Sequence, residues 1–147
     1  MKKTNNKKVY LIYGSPLSGK TTYVKKHAQK GDLIIDIDNI WECLSRCKRY
    51  EKPRELSGVV LHIYNELIKI VKERKGIWGS AYVIFTEPSI KYIEQKAKEL
   101  DATIIHIDTD KETCLDRLYK KGDGRNISTW KRYIEDYFRF ADKGEIL

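Results

Sequence analysis

The run Gly14-Ser15-Pro16-Leu17-Ser18-Gly19-Lys20-Thr21-Thr22 brings together the residue types that handle a polyphosphate. It contains the complete G-x-x-x-x-G-K-[ST] spacing, directly after the β-favouring run Val9-Tyr10-Leu11-Ile12-Tyr13. A strand that ends in such a turn and restarts as a helix aims backbone N–H groups and a positive helix end at one point. Gly14 and Gly19 permit close approach and unusual dihedrals. Lys20 can neutralise β/γ-phosphate charge, and the Thr21 hydroxyl can ligate Mg²⁺. Gly14, Ser15, Pro16, Ser18, Gly19, Lys20, Thr21 and Thr22 are therefore the candidate nucleotide-binding residues.

An acidic pair follows. The apolar run predicts a strand over Leu33-Ile34-Ile35-Asp36-Ile37-Asp38, and residues two apart on a strand point to one face. At the carboxyl end of a strand beside the phosphate loop, that face borders the crevice where ligands bind. Asp38, nearest the exit, is the candidate base or acceptor-orienting group, and Asp36 the metal-side candidate with Thr21. Capping of the next helix by one aspartate, with the other solvated, is the alternative. Two arginines supply positive charge from farther along. Arg117 falls within an expected helix and Arg125 in the Gly122-Asp123-Gly124-Arg125-Asn126 loop, where planar donors can stabilise a transferring phosphate. Surface ion pairs are the blander role for both.

These groups need elements to hold them. Periodicity predicts a helix over 22–29, the second strand, a helix over 39–47, and a break at Pro53. A long helix follows from residue 58 or 59 to 74, then a third strand over 81–86. Helix 89–100, strand 102–107, helix 111–121 and a last helix over about 128–140 complete the order. The tail 142–147 is expected to be loose. Alternating strands and helices imply a minimal α/β fold with a mostly parallel, doubly wound sheet.

The 147 residues suit one domain, with residues 1–8 as a basic tail. No apolar run approaches a membrane span, and the basic start runs into a short strand, so a cytoplasmic location is expected. The formal charge of +8 suits an anionic partner such as nucleic acid. Cys43, Cys47 and Cys114 lack the companions of a disulfide scaffold or zinc site, and His27, His62 and His106 mark no triad. A GTPase reading fails on the missing D-x-x-G and N-K-x-D motifs. The segment from Arg46 to Arg54 interleaves Arg46, Lys48, Arg49, Lys52 and Arg54 with Tyr50, a composition that grips phosphate and stacks on bases.

With these residues in view, the chain resembles the small P-loop kinases, especially 5′-polynucleotide-kinase-like and phage-encoded AAA-domain-like kinases. The loop Gly14 to Thr22 looks like their G-x-P-x-S-G-K-[ST]-T form, and Ile35-Asp36-Ile37-Asp38 resembles the site of their acceptor-side aspartate. Cys114-Leu115-Asp116-Arg117-Leu118 with Lys121-Gly122-Asp123-Gly124-Arg125 is similar to their arginine-bearing lid. The resemblance covers about residues 8–141 and implies a P-loop fold, ATP and Mg²⁺ as cofactors, and a host-cytoplasmic setting for a phage-encoded member. It implies catalytic roles for Lys20, Asp38, Arg117 and Arg125. Such kinases place an arginine shortly after the acceptor aspartate. Here Trp41 stands at that place, and Arg46, Lys48, Arg49 or Arg54 can replace the missing charge. Trp41, Arg46, Arg49 and Arg54 are thus the candidate substrate-binding residues, with core packing the alternative for Trp41. The expected activity is transfer of the ATP γ-phosphate to a 5′-hydroxyl of single-stranded nucleic acid or a related nucleotide. A nucleoside-monophosphate or small-metabolite kinase is the first alternative, and a non-catalytic nucleotide-dependent binding module the second.

Overall fold

Parallel strands share one carboxyl edge, and in this chain four of them create it. In a computed structural model, which describes residues 7–144, the strands β1 (Val9–Tyr13), β2 (Leu33–Ile35), β3 (Ala81–Phe85) and β4 (Thr103–His106) form a sheet in the order β2-β3-β1-β4. Every pairing in that sheet is parallel, with Leu11 opposite Val83 and Ile104. Among the described residues, six α-helices connect and cover the strands: α1 (Lys20–His27), α2 (Ile37–Ser45), α3 (Ser57–Glu73), α4 (Ile90–Leu100), α5 (Lys111–Lys121) and α6 (Ile127–Gly144). A 3-10 turn, Arg54–Leu56, begins after Pro53 and leads into α3.

The two-residue alternation of the central strands divides the core. Val9, Val83 and Ala81 pack with Val71 of α3 and Leu100 of α4, while Leu11 and Tyr13 meet Ile93 and Ala97. The opposite face sets Ile12, Tyr82 and Ile84 against Val24 of α1. A separate cluster of Cys114, Leu118 and Ile134 joins α5 to α6 and takes in Leu17 from the loop after β1. That cluster fastens the last two helices to the carboxyl edge of the sheet.

The α/β order holds, but the second strand is a correction. It stops at Ile35, and the aspartates do not occupy alternate positions on a strand. Asp36 instead caps α2: its backbone is extended, and its Oδ1 accepts the Asp38 N–H at 3.0 Å. Local side-chain capping stabilises the helix start and competes with strand extension. Asp38 consequently lies in the first turn of α2.

Helix bounds also move. The first helix begins at Lys20 and the last continues through Gly144, so residues 142–144 of the expected loose tail are helical. Residues 1–6 of the expected basic tail, and residues 145–147, lie outside the described residues. No helix among the described residues is long and apolar enough to cross a membrane.

Candidate functional site

The loop between β1 and α1 is held from several sides. Ser15 and Ser18 are buried, and a Cβ at Gly14 would meet the Ile107 carbonyl oxygen and Ser18 Oγ at 2.7 Å each. Only glycine fits that approach. Gly19, in the left-handed region at φ 103°, directs the chain into α1. Leu17 is also left-handed, at φ 61°, and its side chain packs with the α5–α6 cluster. The Thr109 hydroxyl donates to the Ser18 carbonyl at 2.6 Å, and Cys114 Sγ lies 2.9 Å from Ser15 Oγ. The β4–α5 connection and the first turn of α5 therefore act as a brace behind the loop. Nothing in local spacing announced Thr109 or Cys114, because their partners lie 91 and 99 residues away.

Lys20 folds back into this loop. Its Nζ donates to the carbonyls of Gly14 at 2.9 Å and Ser15 at 2.6 Å. Burial lowers its pKa to about 8, against the opposing pull of the Asp36 carboxylate. An ammonium held this way is a desolvated cation facing a cavity.

That cavity measures about 1350 Å³ and lies at the carboxyl edge of the sheet. Lys20, Thr21 and Thr22 line one side, and Asp36, Asp38, Arg49 and Lys52 another. Arg117, Lys120 and Lys121 come from α5 and Arg125 from the loop after it, while Trp130, Tyr133, Tyr137 and Phe140 form an aromatic wall on α6. Among the described residues, seven lysines and arginines line it against three aspartates, so the cavity favours an anion.

The aspartates differ in setting. Asp36 is buried, and desolvation raises its pKa even though it accepts the Asp38 N–H and pairs with Arg49 at 3.1 Å. Asp38 is more open and pairs with Lys52 at 2.9 Å. Arg49 also donates to Asn39 at 2.7 Å and Glu42 at 2.9 Å. Burial alone lowers the Arg49 pKa, but the Glu42 hydrogen bond and the Asp36 charge outweigh it and hold the value above the ordinary one. The guanidinium from the basic segment thus reaches back across 13 residues to the aspartate that starts α2.

Arg117 of α5 and Arg125 of the loop after it sit differently. Arg117 donates to the Leu17 carbonyl at 3.0 Å, bracing the loop from outside. Arg125 is folded into the cavity wall, with its side chain only 9% exposed. Its guanidinium carbon lies 4.2 Å from the Tyr50 ring centroid and 4.5 Å from that of Trp130. One nitrogen donates to the Tyr50 hydroxyl. Nε stands 3.3 Å from Asp123 but is not aligned for a hydrogen bond, and Nη1 has no partner.

Other sequence candidates lie elsewhere. Trp41 is the buried residue of α2 and does not line the cavity. Arg46 ends α2 in a left-handed conformation, Arg54 opens the 3-10 turn, and both are exposed outside the cavity wall.

Whether a nucleotide with Mg²⁺ suits these residues is decided by the donors. Ser18 Oγ and two nitrogens of Arg125 are buried without a hydrogen-bond partner, and Lys20 is bonded only to backbone carbonyls. Unpaired buried donors around a cationic cavity fit a polyanion. Among the described residues no group of three or more His, Cys, Asp or Glu gathers into a metal cage. Mg²⁺ commonly uses only one or two protein oxygens beside phosphate and water, and Thr21 and Asp36 supply that number.

No protein-family model matches this sequence, and no curated protein matches it. Among solved structures, the chain is similar to one in the "Structure of the Pnkp1/Rnl/Hen1 RNA repair complex", with a TM-score of 0.73 and 14% sequence identity. The match covers 97% of this chain and 46% of that one, so this chain spans about half the length of the chain it resembles. The likeness is one of fold.

Proposed function

We propose that the protein is a Mg²⁺- and ATP-dependent phosphotransferase whose acceptor is a nucleic-acid 5′-hydroxyl or a related nucleotide. The observation that carries this reading is the meeting, around one cavity, of Lys20 and its loop with the aspartates at the start of α2 and Arg125. A P-loop kinase fold with a lid at about residues 111–127 accounts for that meeting. The fold likeness to a chain of an RNA repair complex adds weight to a nucleic-acid acceptor.

On this reading Gly14, Ser15, Pro16, Ser18, Gly19, Thr21 and Thr22 form the phosphate-binding stretch, and Lys20 neutralises its charge. Bound ATP and Mg²⁺ supply the transferable phosphoryl group with its charge shielded. Thr21 and Asp36 would hold the ion. Asp38 accepts the proton of the acceptor hydroxyl, the more exposed of the two carboxylates being the one a substrate reaches. Arg125 stabilises charge on the transferring group, and Arg117 keeps the loop closed beside it. Arg49 and Lys52 exchange their carboxylate partners for phosphate on the acceptor. Arg46 and Arg54 would then contribute only longer-range attraction, and Trp41 would support α2 from within.

The test is transfer of label from γ-labelled ATP to 5′-hydroxyl DNA, 5′-hydroxyl RNA, nucleoside monophosphates and small hydroxyl metabolites. Labelled oligonucleotide supports the proposal. Label on monophosphate alone rejects the nucleic-acid acceptor but keeps the kinase, whereas nucleotide binding without transfer to any acceptor rejects both.

A further inference from the structure

An arginine whose work is to meet phosphate loses rotamer freedom when it does so, and a protein lowers that cost by fixing the side chain beforehand. Arg125 is fixed by two aromatic rings from distant parts of the chain. Trp130 belongs to the same end of the molecule, one turn into α6. Tyr50 does not: it comes from the basic segment between α2 and α3, 75 residues earlier.

The arrangement has the features of a clamp. Tyr50 and Trp130 meet edge to face with centroids 4.9 Å apart, and the guanidinium lies against both rings. The Tyr50 hydroxyl takes one nitrogen of the fork. The arginine is thereby desolvated, with Nη1 buried and unpaired, while the side chain as a whole lines the cavity. A cation packed on ring faces keeps its charge and its remaining donors. Without the rings, a guanidinium in the Gly122–Asn126 loop would be solvated and would sample many rotamers.

We infer that Tyr50 is a positioning residue for Arg125, so that the acceptor-side segment sets the orientation of the cation serving the phosphate site. The inference rests on the reading of the cavity as a phosphate site. It goes beyond that reading by making the two halves of the site interdependent: moving the basic segment loosens Arg125.

The test uses the full chain and tripolyphosphate as the probe, with affinity measured by calorimetry for wild type, Tyr50→Phe, Tyr50→Leu and Arg125→Met. Tyr50→Leu should weaken binding about tenfold, the larger part of a desolvated cation–π contact, and Tyr50→Phe by less than about threefold because the ring remains. In the Arg125→Met background, Tyr50→Leu should cost nothing more. A Trp41→Phe/Trp78→Phe background leaves Trp130 as the sole tryptophan, and its fluorescence should respond to tripolyphosphate in the Tyr50→Phe variant but lose most of that response in Tyr50→Leu. An equal loss from Tyr50→Leu with and without Arg125 overturns the positioning role, as does full affinity in Tyr50→Leu. Wild type that binds no tripolyphosphate overturns the phosphate-site reading together with this inference.

Discussion

The two sides of the cavity are built by different means. Between β1 and α1 the chain is fixed by its own backbone: left-handed residues, buried serines, and a glycine whose missing Cβ admits a carbonyl oxygen. From Asp36 to Lys52 the site is instead held by charged side chains reaching across loops, as Arg49 reaches Asp36 and Lys52 reaches Asp38. A backbone cradle has one arrangement because its packing forbids others. A set of partly exposed ion pairs has alternatives of similar energy, which suits a surface that must let an acceptor in. On the proposed function, the contrast separates a rigid donor side from an adjustable acceptor side.

The largest expected effect tests the rigid side. Lys20→Ala removes the buried cation from the loop, and transfer should fall roughly 10²–10³-fold, as for loss of one preorganised charge-stabilising donor. Asp38→Asn should follow, lowering kcat by roughly a hundredfold through loss of the base while tripolyphosphate affinity is kept. A variant that loses binding as well would mean that Asp38 belongs to the cradle, and the division between the two sides would fail there. Arg49→Ala comes next. It should raise the acceptor KM by about tenfold to a hundredfold, the range for a lost charged hydrogen bond, with nucleotide KM little changed. A rise confined to nucleotide KM would reverse the assignment of sides.

A smaller effect comes from pH, and its sign distinguishes binding from stability. Lys20 has its pKa lowered by burial to about 8, from an ordinary value of 10.5. Folded protein therefore releases this proton before the unfolded chain does, so between those values the unfolded state binds more protons. Stability contributed through this group rises across that window. Phosphate affinity moves the other way, falling as the ammonium is lost. Titrating tripolyphosphate from pH 7 to pH 9 should show a decrease of up to about tenfold, because the bound anion favours the charged lysine and pH 9 lies only about one unit above the value in the free protein. Lys20→Arg, which stays charged, should flatten that decrease. A fall of the same size in both proteins would trace it to other groups.

What the sequence made legible follows the same division. Strand, glycine-rich turn and helix at residues 9–27 are local signals: their order holds and the strand keeps its bounds, while the helix lies two residues earlier than 22–29 at both ends. The Asp36–Asp38 pair departs from the expected strand because an apolar run continuing into I-D-I-D also satisfies a helix cap, and the cap hydrogen bond prevails after Ile35. Arg49 and Tyr50 stood out as a basic segment with an aromatic, but their partners did not. Asp36 lies 13 residues away and Arg125 lies 75, and neither separation leaves a period in the chain. Side-chain reach between loops is set by the folded backbone, so it becomes readable only when that backbone is known.

The smallest expected effect bears on Trp41, which sequence position alone offered as an acceptor contact. The residue is 8% exposed and absent from the cavity wall, so its ring serves the packing of α2. Trp41→Phe removes part of a buried ring and should cost about 1–2 kcal/mol of stability. That corresponds to a melting temperature lowered by several degrees in a domain of this size. Acceptor KM should stay within about twofold, since the basic segment carries its own contacts through Arg49 and Lys52. Melting curves and acceptor titrations on one preparation separate the two roles. An unchanged melting temperature with a raised acceptor KM would put an aromatic contact on the adjustable side, and α2 would then have to turn to present it.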